Sequence, residues 1–208
     1  PVGLEADHRG VIDVVRRRQL TFVGDHGEQV VVGPVPADRR VEVEAARARL
    51  LDDVSLHDDA VLEVLVADGD VDDDLLVAAL RRLTVAGVLV PVLLGAAYRN
   101  VGVQPLLDAV VDWLPGPSDR VVTAATDSGV VEVQGTADGP VVARAFKVVE
   151  TDHGPVTWLR VHRGTVRPGL ALVDGQDGSR VRLRRLVRLH AGQSQPVDVA
   201  VAGEVVAA

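Results

Sequence analysis

The sequence predicts an α/β unit followed by a small antiparallel β-barrel or sandwich. Three observations carry that reading. Between residues 37 and 114, segments of helical periodicity surround a continuous apolar run of strand length. After Pro140 the helical period disappears, and short alternating segments recur every 8–12 residues, separated by glycine turns. The chain has 208 residues, 47% of them hydrophobic, enough to bury real cores and too apolar for disorder.

The elements follow in order. Gly10–Val15 is apolar and β-branched, a strand pattern. Residues 19–24 and 28–32 alternate around Asp25-His26-Gly27, a hairpin signature. Pro34 and Pro36 break the pattern. From Ala37 to Asp53 it turns helical, with Val43, Ala46, Leu50 and Leu51 on one face. A second helix fits His57–Val66 and a third 74–86, ended by Gly87. The acidic run Asp68–Asp74 lacks the glycine and glutamate that a calcium-binding EF-hand loop needs at its sixth and twelfth positions, which hold Asp73 and Ala79. Asp72, Asp73 and Asp74 instead suit the start of the third helix, where carboxylates cap free N–H groups.

The run Val88–Leu94 reads as a parallel strand covered on both faces, with Pro91 pointing to an edge or a distortion. Gly95-Ala96-Ala97 follows it. Residues 103–114 form an amphipathic helix stopped by Pro115-Gly116-Pro117. Residues 118–139 read as a linker with some extended structure. Strands are expected at 141–150, 156–162, 170–174, 180–189 and 204–208. Turns are expected at Asp152-His153-Gly154-Pro155, Arg163-Gly164 and Asp174-Gly175.

Composition excludes several classes. With no Cys there is no disulfide scaffold, thiolate zinc site or cysteine nucleophile. No window of about 18 apolar residues is free of charge, so no membrane partner is expected. Valine makes up about a fifth of the chain and Lys147 is the single lysine, a bias that fits GC-rich coding. The net charge of -8 is unevenly spread. Residues 1–120 carry 12 basic and 21 acidic side chains; residues 121–208 carry 10 and 9. A basic run from Arg160 to Arg188 meets only Asp174 and Asp177. It reads either as a solvated strand face or as an RNA-phosphate surface that the whole-chain charge hides.

No catalytic constellation is expected. There is no phosphate-binding G-x-x-x-x-G-K-[ST] loop, no G-x-S-x-G elbow and no H-E-x-x-H. The six histidines lack metal-ligand spacing, so no metal site is expected.

The stretch 88–119, VLVPVLLGAAYRNVGVQPLLDAVVDWLPGPSD, resembles the end of the GTP-binding domain of bacterial or organellar elongation factor G. GVIDVV resembles the strand that opens that domain's insertion, and the helices of 37–86 match the insertion. The tail, from ARAFKVV through GPVTWLRVHRGTVRPG and LRRLVRLHAGQ to VAGEVVAA, resembles the β-barrel that follows. The resemblance is collinear over nearly the whole chain. It implies a remnant of a P-loop GTPase domain with an α+β insertion at 1–117, a linker at 118–139 and an antiparallel β-barrel at 140–208, incomplete at its C-terminus. It places the P-loop, the switches and the Asn-Lys-x-Asp motif before Pro1, so an internal fragment of a longer protein is expected.

By resemblance the parent uses GTP and Mg2+ in translocation or ribosome recycling, while the chain alone is expected to be inactive and to hold neither. Gly95, Ala96 and Ala97 correspond to the loop bordering the guanine base, with the Ala97 N–H as the contact; Ala96 stands where serine is usual. The barrel implies a ribosomal partner, small-subunit RNA, with Arg160, Arg163 and Arg167 as contact residues and no DNA partner. Alternatives are a non-catalytic ribosome- or RNA-binding module and a tetracycline-resistance-type ribosomal protection protein. The resemblance implies the bacterial cytoplasm, or the mitochondrial matrix as the alternative.

Overall fold

The computed structural model describes residues 1–126, 128–151, 154–190 and 193–208. These form two units, Pro1–Leu114 and Pro115–Ala208.

The first unit opens with an antiparallel sheet of β1 (Gly10–Asp13), β2 (Arg18–Val23) and β3 (Gln29–Pro34), with β2 central. Alternation puts Leu20 and Phe22 on the buried face, where Val101 packs against them. Four helices follow: α1 (Arg40–Ser55), α2 (Asp59–Val66), α3 (Asp73–Val85) and α4 (Val103–Trp113). The core of this unit joins Val54, Val61, Val71, Leu76, Leu80 and Leu83.

Two aspartates start helices. The Leu75 N–H donates to Asp72 Oδ1 at 2.8 Å, as the acidic run suggests. The Val61 N–H donates to Asp58 Oδ1 at 3.2 Å, and Arg82 grips the other Asp58 oxygen through Nε and Nη2 at 2.9 and 2.7 Å. One carboxylate thereby caps α2 and ties it to α3.

The buried face of α1 holds a charge that periodicity hides. Val43, Arg47 and Val54 share it, and Arg47 is 2% exposed. Its guanidinium donates to the Val15 carbonyl, to the Val71 carbonyl at 2.8 Å and to Asp73 Oδ1 at 3.0 Å. It supplies donors to backbone carbonyls in two separate connections, after β1 and before α3.

The run 88–94 forms no strand, which corrects the expected parallel strand. Pro91 has no N–H to give a ladder, and every strand pairing of this unit is antiparallel and confined to β1–β3 among the described residues. Val90 and Val92 are 82% and 84% exposed. The apolar stripe of α4 is also only partly covered, with Leu107 and Val111 exposed and Ala109 buried.

In the second unit the stretch read as a linker contains a hairpin of β4 (Val122–Thr126) and β5 (Gly129–Val133). The longest strands, β6 (Val142–Thr151) and β7 (Gly154–Arg163), follow. Asp127 lies outside the described residues, as do Asp152 and His153 of the expected turn, Ala191 and Gly192. Next come β8 (Thr165–Val166), β9 (Ala171–Val173), β10 (Arg180–Arg182), β11 (Val187–His190), β12 (Gln193–Pro196), β13 (Ala200–Val201) and β14 (Val205–Ala207). A five-stranded antiparallel sheet has the order β12-β11-β14-β7-β6, and the remaining strands pair as β4-β5, β8-β13 and β9-β10. Leu159, Val161, Val166, Leu183, Leu186 and Val206 fill the core.

The segment 180–189, expected as one strand, is two. Leu183 and Leu186 turn into the core, and Leu183 exchanges hydrogen bonds with Gly169 and Leu170. The chain so changes partners, from β9 to β12 and β14.

Arg47→Ala is expected to destabilise the first unit by about 3 kcal/mol, because it leaves the Val15 and Val71 carbonyls without this donor and removes the buried partner of Asp73. Urea unfolding followed by circular dichroism checks this.

Candidate nucleotide-loop and nucleic-acid interface residues

The loop 95–97 is held from both sides. Ala96 and Val101 exchange backbone hydrogen bonds at 2.8 and 3.1 Å. A single 3-10 turn, Ala97–Arg99, lies between them and closes on Asn100, in left-handed conformation. A Cβ at Gly95 would lie 2.7 Å from the Val101 carbonyl, and one at Gly102, where φ is +80°, 2.6 Å from that of Leu94. Only glycines allow these two segments to run so close. Arg99 Nη1 fastens the turn to the Ala6 carbonyl at 2.7 Å, and Gln104 donates to the Gly27 carbonyl at 3.2 Å.

Ala97 opens this turn and is an exposed residue, and its N–H meets no backbone acceptor among the described residues. The position is thus a fixed amide donor, able to give one hydrogen bond to a carbonyl oxygen. Gly95 and Ala96 shape the turn and contribute no side-chain polar group. Among the described residues no group of three His, Asp or Glu converges to hold a metal ion.

The three candidate arginines of the second unit differ in setting. Arg163 Nε reaches the Asp138 carbonyl at 3.4 Å, and its guanidinium crowds Gly139, where a Cβ would lie 2.9 Å from Nη2. Arg167 is exposed beyond β8. Arg160 lies half-buried on β7 and lines a cavity of about 640 Å3 with Arg120 and His162.

Strand register brings further residues to Arg160. Leu159 and Val161 face the core, so Trp158 and Arg160 face away from it. Two bulges interrupt β6–β7: the pairing skips Phe146 on one strand and His162 on the other. Between them Arg144 stands directly opposite Arg160, and just beyond the second bulge Lys147 stands opposite Trp158. Lys147 Nζ lies 6.0 Å from the Trp158 ring centre, and the Phe146 ring 6.5 Å from it at 55°. Burial, reinforced by the Arg160 and Arg144 guanidinium charges, holds His162 below the usual histidine range. Sequence reasoning missed Arg144, Lys147 and Trp158, because alternation does not count through two bulges, and Arg120, because it comes to Arg160 from a segment far away in sequence.

Similarity to known proteins runs the whole length. The chain is 38% identical over 210 residues to elongation factor G of Rhodopirellula baltica, covering all of this chain and 30% of that protein. It is 40% identical over 211 residues to mitochondrial elongation factor G-1 of Arabidopsis thaliana, covering all of this chain and 28% of the relative. A crystal structure from Thermus thermophilus matches with a TM-score of 0.77 and 27% identity, covering all of this chain and 28% of the other. The chain spans less than a third of each of these proteins. No family model matches it.

In an NMR titration the His162 midpoint is expected below 6.5. Arg160→Gln should move it upward, since it removes a positive charge that disfavours protonation. Folding linkage has the same sign: the unfolded chain binds the His162 proton at higher pH, so this contribution to stability is lost as pH falls below the histidine range.

Proposed function

The chain belongs to the elongation factor G family, and we propose that it is a segment of a ribosome-dependent translational GTPase acting in translocation or ribosome recycling. The carrying observation is the collinear similarity, 35–40% identity across the chain to bacterial and mitochondrial members. In this reading residues 1–117 end the GTP-binding domain and include its insertion, 118–139 link, and 140–208 belong to a β-barrel domain. The exposed apolar residues of 88–94 and α4 support the first assignment, because a contiguous uncovered apolar surface marks a face that packs against a partner. The bacterial cytoplasm, or the mitochondrial matrix, is the corresponding compartment; no helix among the described residues is long and apolar enough to cross a membrane.

The parent would bind GTP with Mg2+. Within this chain the fit extends to one group, the Ala97 N–H at the head of the 97–99 turn, suited to a purine carbonyl oxygen. One amide contributes about 0.5–1.5 kcal/mol net, against an association cost of at least about 4 kcal/mol. The chain alone is therefore inactive and does not retain nucleotide. Arg160, Arg163 and Arg167 are the proposed contacts to small-subunit RNA, acting through phosphates and blind to sequence.

Two measurements test this reading. Calorimetry with GDP should show no binding tighter than about 1 mM; a tighter constant overturns the claim of nucleotide incompetence. The chain should sediment with small ribosomal subunits. Arg160→Glu, Arg163→Glu and Arg167→Glu should each weaken that association, the more so at low salt. A variant that sediments unchanged removes its residue from the contact set.

A further inference from the structure

We propose that the outward face of the β6–β7 hairpin binds an unpaired RNA strand, stacking a base on Trp158 and holding a backbone phosphate between Arg160 and Arg120. The choice of RNA rests on the ribosomal reading; the site itself stands on geometry.

The charges come first. Arg120, Arg144 and Arg160 have no carboxylate within ion-pair distance among the described residues, whereas Arg188 of the same unit is paired with Glu204. No Asp or Glu side chain lines the cavity that Arg120, Arg160 and His162 share. Arg144 and Arg160 sit directly opposite each other on neighbouring strands, an arrangement that repels unless an anion lies between or beside them. The Arg160 and Arg144 charges add to burial, the larger cause, in holding His162 below the usual histidine range.

The aromatic residues make the site more than an anion attractor. The chain has only five, and two of them, Phe146 and Trp158, lie on this face with the single lysine. Phe146 is 52% exposed, placed there by a bulge. A bulged-out aromatic beside Trp158, followed along the strand by Arg160, alternates a π-face with a cation. Unpaired nucleic acid alternates base and phosphate in the same way. A duplex keeps its bases stacked inside and has nothing to offer Trp158.

The test uses the 208-residue chain and a fluorescein-labelled oligouridine of about twelve nucleotides, within the site sizes of single-strand binders, read by anisotropy. In a Trp113→Phe background, binding should quench the remaining tryptophan. Trp158→Ala should weaken binding at least about fivefold, and Trp158→Phe should retain most of it. Arg160→Gln should weaken binding and reduce the salt slope by about 0.7. Duplex RNA of equal length and inorganic polyphosphate should bind more weakly, and neither should respond to Trp158→Ala. The proposal fails if the tryptophan is not quenched, if Trp158→Ala binds as tightly as the parent chain, or if polyphosphate or duplex binds as well as oligouridine. Loss of oligouridine binding with ribosome sedimentation intact overturns this site alone. Loss of sedimentation with oligouridine binding intact overturns the ribosomal reading and leaves the site standing.

Discussion

A buried peptide carbonyl must find a donor, and in the first unit one guanidinium meets that demand where no helix or ladder does. Arg47 satisfies Val15 and Val71, two carbonyls in connections far apart in sequence. It also holds Asp73 at the head of α3. The end of β1, the middle of α1 and the start of α3 are thereby fixed by one side chain. The apolar cluster of Val54, Val61, Val71 and Leu76 packs among the same elements. Arginine suits the role because its planar fork donates in several directions while its charge is answered by Asp73. The Asp58–Arg82 pair does for α2 and α3 what Arg47 does for α1, with the carboxylate rather than the cation as the buried partner.

Much of this architecture was legible in the sequence, for identifiable reasons. Alternation and a glycine turn marked the β2–β3 hairpin, and helical periodicity marked all four helices. The acidic run was readable as caps because Asp72 sits one residue before α3. What could not be read was partnership. The run 88–94 has the composition of a buried strand, but a strand exists only against a neighbour, and Pro91 removes a donor from the one that would form. The opposite error occurred at Gln193–Pro196, a polar segment of poor strand propensity that pairs with β11 at the sheet edge. Residues 180–189 looked continuous because apolar and basic side chains alternate there, yet Leu183 and Leu186 both enter the core. Arg47 was invisible because the helical period marks only the apolar face of Val43, Ala46, Leu50 and Leu51, and nothing in the spacing singles out a buried charge beside it.

The candidate sites divide along the same line. The loop at Gly95–Ala97 depends on backbone, so it is recorded in two glycines and one alanine and yields a single directed N–H. The second-unit surface depends on side chains from β6, β7 and the segment around Arg120, and no sequence spacing joins them. Choosing arginines by their place in the Arg-Val-His-Arg-Gly-Thr stretch of 160–165 selects Arg163, whose guanidinium is engaged with the Asp138 carbonyl, and omits Arg144, which faces Arg160. Register, set by two bulges, decides which charges add.

That decision bears on stability as well as recognition. Placing Arg144 against Arg160 costs sheet stability, and leaving Phe146 half in water forgoes burial in a chain with few aromatic residues. A sequence optimised only for folding would put a carboxylate opposite Arg160 and turn Phe146 inward. The surrounding core absorbs these losses: Leu159, Val161 and Val206 are all nearly inaccessible, directly behind that face. A well-packed inner face therefore lets the outer face of the same strands keep a local conflict. An anion placed among Arg120, Arg160 and Arg144 would remove the electrostatic part of it, and a base over Trp158 the hydrophobic part. Both penalties are relieved together only by a ligand that carries a negative charge and a flat apolar ring in one repeating unit.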